Sequence, residues 1–152
     1  MLWLVHEEEF CLNASLKKIN QNDPDKRTIE ENVFSNWWKL DVVNPIQKDF
    51  FTSLQPENLS HLSLKKFYED IILRIRNLNT AEVKGAFVTA SEEQTETNEI
   101  LLKHLKDIEV SLKSLRNQIK NETQFNKKVE LNLQIKNYEN EKTNIISKLA
   151  EH

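Results

Sequence analysis

The sequence predicts an α+β fold in which a small antiparallel β-meander packs against one helix and a coiled-coil-like antiparallel helical hairpin follows. Short alternating apolar runs near the N-terminus indicate strands, an amphipathic pattern from residue 64 indicates a helix, and a 3.5-residue apolar repeat after residue 100 is typical of a coiled coil. The expected organisation is an α+β domain at 1–78, a linker at 79–98 and the hairpin at 99–150.

Three extended runs make up the predicted meander. Leu2–Val5 is short and rich in β-forming residues, and apolar residues alternate with mostly polar ones over Phe10–Leu16, which is the period of a half-buried strand. Asn20–Lys26 has turn chemistry, because Asn and Asp bond to nearby backbone and Pro fixes φ. Thr28–Phe34 is the third run, and its pattern also leaves a helix open.

One helix is predicted to cover a face of this meander. Ser63 is a suitable N-cap, and the apolar residues that follow are spaced three or four apart, as on one helical face. These residues are Leu64, Phe67, Ile71, Ile75 and Leu78.

The last third of the chain contains two apolar seams with coiled-coil spacing. The first seam is Leu101, Leu105, Ile108, Leu112, Leu115 and Ile119, and the second is Leu131, Ile135, Tyr138, Ile145 and Leu149. Lys142 occupies the position of the second seam between Tyr138 and Ile145. The two seams are out of phase across Asn121–Asn126, which favours two helices folded back on each other over one long rod with a phase shift. Both arrangements stay open from the sequence alone.

The predicted hairpin has more apolar residues than one partner helix can bury. Ile100, Leu102, Val110, Leu133 and Ile146 lie off the seam and widen the apolar stripe. We therefore expect the seam residues and their neighbours to form a protein-interaction surface that docks on this domain, on a second copy in a homo-oligomer, or on another protein.

Composition excludes several classes of protein. With a single glycine, Gly85, the chain has neither a phosphate-binding P-loop nor a dinucleotide fingerprint. The one cysteine, Cys11, excludes an internal disulfide and a cysteine-based zinc site and fits a reducing compartment. No apolar run approaches the roughly 20 residues that span a bilayer, so we expect a cytoplasmic protein without a membrane partner.

No catalytic, cofactor or metal site is predicted. The four histidines lie far apart in the sequence, and no Ser-His-Asp or Cys-His arrangement has supporting context. Pro24-Asp25 with Glu82-Val83-Lys84 formally matches the Pro-Asp…Glu-x-Lys string of Mg²⁺-dependent nucleases, but the two parts fall in a predicted turn and a predicted linker. A nuclease remnant is therefore a minor alternative.

A second alternative is a nucleic-acid-binding accessory protein. Trp37 could stack on a base while Lys17 and Lys18 contact phosphates, and Lys127 and Lys128 mark the proposed hairpin bend. The overall net charge of −3 provides no general attraction to nucleic acid. Such binding would therefore depend on local clusters of basic residues.

The stretch Asn121–Asn132, together with Lys17–Asn20 and Trp37, resembles a bacterial family of unknown function, the domain of unknown function number 4391. The resemblance places Asn121–Asn132 in the C-terminal helical stretch of the family and Lys17–Asn20 with Trp37 in its middle, so this chain is similar to the C-terminal part of the longer family members. The resemblance implies genes encoded beside helicases and DNA methyltransferases of restriction-modification-type defence systems, and it transfers no catalytic residue. Together these observations predict a non-catalytic protein-interaction or adaptor module, an accessory subunit of a bacterial DNA-processing or phage-defence system.

Overall fold

The computed structural model describes residues 1–39 and 44–151 as an α+β protein in two compact units, residues 1–95 and 96–152. We call them the N-terminal unit and the C-terminal unit. Of the helices in the described ranges, none has both the length and the apolar character needed to cross a lipid bilayer.

The N-terminal unit contains the predicted antiparallel meander. Strands β1 (Leu2–His6), β2 (Glu9–Ile19) and β3 (Arg27–Phe34) are neighbours in that order, and the short strand β4 (Trp38–Lys39) pairs with the start of β2. The third extended run is therefore a strand and not a helix. The alternation of Phe10, Leu12 and Ala14 places these side chains on one face of β2, where they are almost fully buried.

Two helices of this unit contribute to its core. Helix α1 (Pro45–Ser53), which the sequence pattern did not predict, begins with a capping box in which Asn44 and Gln47 exchange side-chain-to-backbone hydrogen bonds of 2.9 and 3.1 Å. Helix α2 (Leu64–Lys84) begins at the predicted N-cap Ser63, whose hydroxyl accepts a hydrogen bond from the Lys66 amide. The buried core cluster is Phe10, Leu12, Ala14, Trp38, Phe50, Ile72, Ile75 and Leu78.

The expected linker at 79–98 is mostly helical. Helix α2 continues to Lys84 and ends at Gly85, whose left-handed conformation (φ 79°) suits a residue without a Cβ. Helix α3 (Glu92–Asn121) begins seven residues later, after a short non-helical segment at 85–91. The sequence pattern did not predict these helical segments, because their buried positions are filled by polar or small residues and form no apolar stripe. Thr80, Ala81 and Thr95 are examples, all buried through tertiary packing.

The C-terminal unit is the antiparallel hairpin, formed by α3 from residue 96 onward and by α4 (Phe125–Glu151), and closed by a turn at residues 122–124. Two ion pairs cross it: Arg116 Nη2 lies 2.8 Å from Glu139 Oε1, and Lys142 Nζ lies 2.6 Å from Glu109 Oε1. Arg116 is closer to the turn than Glu109 on α3, and its partner Glu139 is closer to the turn than Lys142 on α4. Only an antiparallel arrangement allows this order. The single-rod alternative is therefore wrong.

Candidate interaction surfaces

The two seams of the hairpin are buried unevenly. Far from the turn, the seam side chains are almost inaccessible, at 8% exposure or less. These are Leu105, Ile108, Leu112, Leu115, Ile145 and Leu149, which we call the hairpin base. Leu101 is half-buried. Lys142 occupies a seam position, where its stem is half-buried and its ammonium group reaches Glu109.

Toward the turn, the hairpin leaves its apolar residues uncovered. Every apolar side chain from Ile119 to Tyr138 is half-buried or exposed, and we call this set the hairpin tip. Its members are Ile119, Phe125, Val129, Leu131, Leu133, Ile135 and Tyr138. The predicted interaction residues therefore divide into a base that packs inside the hairpin and a tip that stays accessible.

Part of the hairpin tip is a regular stripe on α4. Phe125, Val129 and Leu133 are four residues apart, so they lie on one face of the helix, and their side chains are 77%, 43% and 58% exposed. Phe125 and Val129 were missed from the sequence because they lie outside the seam. The i, i+4, i+8 spacing of apolar residues in a polar stretch was the signal that could have revealed them.

Of the five off-seam residues expected to widen the apolar surface, four are exposed. Ile100 and Val110 are 70% and 69% exposed, Leu133 is 58% exposed and Ile146 is 36% exposed. Leu102 is half-buried. Ile100 and Val110 are spread along α3 and do not continue the stripe of Phe125, Val129 and Leu133.

The N-terminal unit has a second apolar surface, on the sheet face opposite its helices. Cross-strand partners in an antiparallel sheet point to the same face, so Leu2, Leu4 and Phe34 lie on the side of Cys11 and Asn13. The three apolar residues are 62%, 38% and 48% exposed, whereas Cys11 and Asn13, on the strand between them, are buried. The thiol of Cys11 donates a hydrogen bond to the Ser35 carbonyl, which fits a structural role.

The two tryptophans in the middle of the chain have different environments. Trp38 is 7% exposed and makes edge contacts with Phe10 and Phe50, so it is a core residue. Trp37 is 48% exposed and is therefore accessible for stacking.

The lysines of the nucleic-acid alternative are exposed or nearly so, but they do not form one cluster. Lys17 and Lys18 are neighbours on β2 and therefore point to opposite faces of the sheet, and Lys18 lies 3.9 Å from Glu30. Lys127 and Lys128 follow each other in the first turn of α4 and are separated by about 100° around the helix axis.

The nuclease-like string does not assemble. Asp25 lies in the β2–β3 turn, just before β3 begins, whereas Glu82 accepts a hydrogen bond from Asn36, just after β3 ends. A strand of this length holds those two points more than about 20 Å apart, far beyond the span of one metal site. Within residues 1–39 and 44–151, no three His, Cys, Asp or Glu side chains form a metal-binding group.

Lys84, the lysine of this string, lies at the end of α2. Burial lowers its pKa, because desolvation disfavours the charged form. A lowered lysine pKa can mark a functional site. Here the carboxylate Asp25 lies at the other end of the sheet, so the shift belongs to the packing of the helix end.

Comparison with known proteins gives one match. The family model described as "Domain of unknown function (DUF4391)" matches residues 1–141. No curated protein shows significant similarity to the chain. No solved structure matches it either.

Proposed function

We propose, from the premise that the chain belongs to the DUF4391 family of unknown function, that it is a non-catalytic adaptor whose hairpin tip binds a helical protein partner. The observation that supports this proposal is the tip itself, where seven apolar residues lie within twenty positions and none is buried. Apolar surface of this kind is costly to leave in water and is typical of docking sites.

The geometry of the tip favours a helix as the occupant. Phe125, Val129 and Leu133 form one stripe at helical spacing, and such a stripe interdigitates with an equivalent stripe on a crossing helix. A third helix would also cover the half-buried seam residues Ile135 and Tyr138. The hairpin would thereby become a small bundle with a complete core.

The charges around the tip favour another protein over a second copy. Between residues 116 and 138 the basic residues are Arg116, Lys120, Lys127, Lys128 and Lys136, and the acidic ones are Glu122 and Glu130. Two identical tips in contact would bring like charges together, which opposes association. A partner helix with carboxylates at its edges meets no such repulsion.

The expected setting is a bacterial DNA-processing or phage-defence assembly in the cytoplasm. The gene neighbourhoods implied by the family resemblance support this setting, and the chain would serve there as an accessory subunit. That it corresponds to the C-terminal part of longer family members stays a prediction of the same resemblance.

The test compares two double substitutions in the full chain. Phe125→Ser/Leu133→Ser removes apolar area from the tip, and Ile100→Ser/Val110→Ser removes apolar side chains of similar exposure from α3. We expect pull-downs from the native host to recover a stoichiometric partner with the wild type and the α3 control. Binding of that purified partner should weaken at least about 100-fold in the tip variant, because two buried apolar side chains are each worth about 1.5–3 kcal/mol.

Three outcomes would contradict the proposal. The two variants could lose the partner equally, no stoichiometric partner could be recovered, or light scattering could show a stable dimer that only the tip variant dissociates. Circular dichroism of both variants checks that the helices remain folded, which the exposure of all four side chains leads us to expect.

A further inference from the structure

A groove of about 610 Å³ runs along one flank of the hairpin, between α3 and α4. The charged residues that line it are Glu109, Lys113, Arg116, Lys120, Glu139 and Lys142. Both carboxylates are neutralised locally, because Glu139 pairs with Arg116 and Glu109 pairs with Lys142. Lys113 and Lys120 are exposed, and neither has an ion-pair partner among the described residues.

Helical periodicity extends this basic surface in both directions. Lys106, Lys113 and Lys120 are seven residues apart on α3, so they share one side of the helix over about 21 Å. On α4, Lys136 is seven residues before the groove residue Thr143, and Lys128 is three helical turns before Glu139. We call the resulting surface the basic flank. Its members are Lys106, Lys113, Arg116, Lys120, Lys128, Lys136 and Lys142.

The other flank of the hairpin carries carboxylates as well as cations. There His104 Nε2 lies 3.3 Å from Glu141 Oε1. Glu130 is three turns before Glu141, and Asp107 is three residues after His104, so both share this flank. The two flanks therefore differ in charge, because on the other flank these carboxylates are balanced by Lys127 and Lys148, whereas the basic flank has an excess of cations.

We propose that the basic flank binds the phosphate backbone of nucleic acid without reading its sequence. Cations stand on both walls of the groove, which is how a protein channel tracks a phosphodiester strand. Five of them have no ion-pair partner within the described ranges: Lys106, Lys113, Lys120, Lys128 and Lys136. On α4 this surface borders the apolar stripe of the hairpin tip, because Lys136 is seven residues after Val129, whereas on α3 it lies apart from that stripe. It adds a second ligand to the proposed adaptor.

The side chains of the flank favour nucleic acid over an acidic protein. Lysine is depleted in the cores of protein–protein interfaces but is a principal contact to phosphate oxygens. The groove offers only Leu112 and Ile146 as apolar anchors, and Leu112 is 4% exposed because it packs in the seam. Contact with this flank is therefore almost entirely electrostatic, as backbone binding requires.

The test measures fluorescence anisotropy of labelled single-stranded and duplex DNA at low salt, with three forms of the full chain. Lys113→Glu/Lys120→Glu reverses two cations of the basic flank. Lys127→Glu/Lys148→Glu makes the same change in net charge on the other flank. Lys127 is about four helical turns before Glu141 and Lys148 is about two turns after it, so both lie on the same side of α4 as Glu141. A milder pair, Lys113→Gln/Lys120→Gln, keeps the test decisive if the charge reversal impairs folding.

We expect the wild type to bind with an affinity that falls steeply with salt, with a logarithmic slope near −4 for five phosphate contacts. The groove variants should bind at least about tenfold more weakly and lose about two units of that slope. The control on the other flank should change the affinity less than about threefold. The tip variant Phe125→Ser/Leu133→Ser should bind DNA normally, which separates this site from the protein-docking site.

Three results would overturn the proposal. The wild type could fail to bind either DNA at low salt, or the two Lys→Glu pairs could weaken binding equally, which would indicate a general charge effect. Equal affinity for polyglutamate of matched charge would assign the basic flank to an acidic protein instead.

Discussion

The N-terminal unit and the C-terminal unit bury their apolar side chains in different ways. In the first, a sheet face and two helices enclose Leu12, Phe50 and Ile75 from several directions, and all three are completely inaccessible. In the second, two helices meet along one line, so only the apolar side chains of the hairpin base are buried, at 8% exposure or less. A layered core is complete within the chain, whereas a two-helix seam always leaves flanks that another molecule can cover.

The largest expected difference between the units comes from removing one phenylalanine ring from each and comparing the loss of stability. Phe50→Ala should destabilise the N-terminal unit by about 3–5 kcal/mol, because it leaves a cavity among Trp38, Phe51 and Phe87. All three tryptophans lie in this unit, so urea unfolding followed by tryptophan fluorescence measures the change. The matched substitution Phe125→Ala, at 77% exposure, should cost less than about 0.5 kcal/mol in urea unfolding followed by circular dichroism, which reports on the hairpin helices. Equal costs would break the comparison.

Two leucine substitutions test whether the packing of the seam weakens from the hairpin base toward the hairpin tip. Leu112→Ala in the base should cost about 2–3 kcal/mol, whereas Leu131→Ala at the half-buried end of the seam should cost about 1 kcal/mol. Hydrogen exchange of the α3 and α4 amides, analysed by mass spectrometry, reads both values locally. A larger loss of protection for Leu131→Ala would mean that the tip is better packed than its exposure indicates.

Buried polar groups sharpen the contrast between the units. The hydroxyl of Thr95 is fully buried and lies 2.7 Å from both Asn77 Oδ1 and the Ser91 carbonyl. Thr95→Val keeps the shape but leaves the amide of Asn77 with one acceptor unsatisfied, at an expected cost of about 1–3 kcal/mol in urea unfolding. Thr143→Val removes an exposed hydroxyl from α4 and should be nearly neutral. A neutral Thr95→Val would show that the buried contact is unimportant.

The smallest expected effect is a pH dependence at the hairpin turn. The backbone N–H of Gln124 donates a hydrogen bond that lowers the pKa of Glu122 below its usual 4.5. The backbone N–H of Thr123 and the positive charges of Lys127 and Lys128 act in the same direction. Because the folded-state pKa is lowered, this contribution to stability is complete above pH 4.5 and is lost as the pH falls through the lowered value.

Glu122→Gln should therefore flatten the pH dependence of hairpin stability in acid while changing little at neutral pH. Thermal melting followed by circular dichroism over that range provides the measurement. The matched substitution Glu130→Gln, on the exposed surface of α4, should leave the acid profile unchanged. If both variants follow the wild-type curve, the turn carboxylate makes no contribution.

Sequence patterns identified the elements whose periodicity is strong. The alternation in β2 and the three- and four-residue spacings in α2 and α3 follow directly from how side chains project from strands and helices. Helix α1 was not predicted, because its start is marked by local polar bonding of Asn44 and Gln47 and its nine residues are too few for the spacing of Ile46, Phe50 and Phe51 to establish a period. The C-terminal end of α2 and the N-terminal end of α3 were not predicted for a related reason. Small and polar residues such as Thr80 and Thr95 fill the buried positions there.

The candidate surfaces were recognised only in part from the sequence. The seam residues and four exposed off-seam positions were found from spacing, but the division into a buried base and an accessible tip was not. Which side chains are accessible depends on how closely the two helices approach along their length, and a spacing rule treats every turn as equivalent. The basic flank was missed because its lysines are distant in sequence and come together only when α3 and α4 pack side by side.

The sequence by itself determined the class of the fold, the first two strands of the meander, the central helix and a helical C-terminal region with two apolar seams, because periodicity is a local property of the chain. The tertiary structure decided that this region forms a hairpin, that Trp38 and not Trp37 enters the core, and that one flank of the hairpin is basic. Each of these depends on contacts between residues far apart in the sequence. Such contacts are set by burial and packing, which no local pattern records.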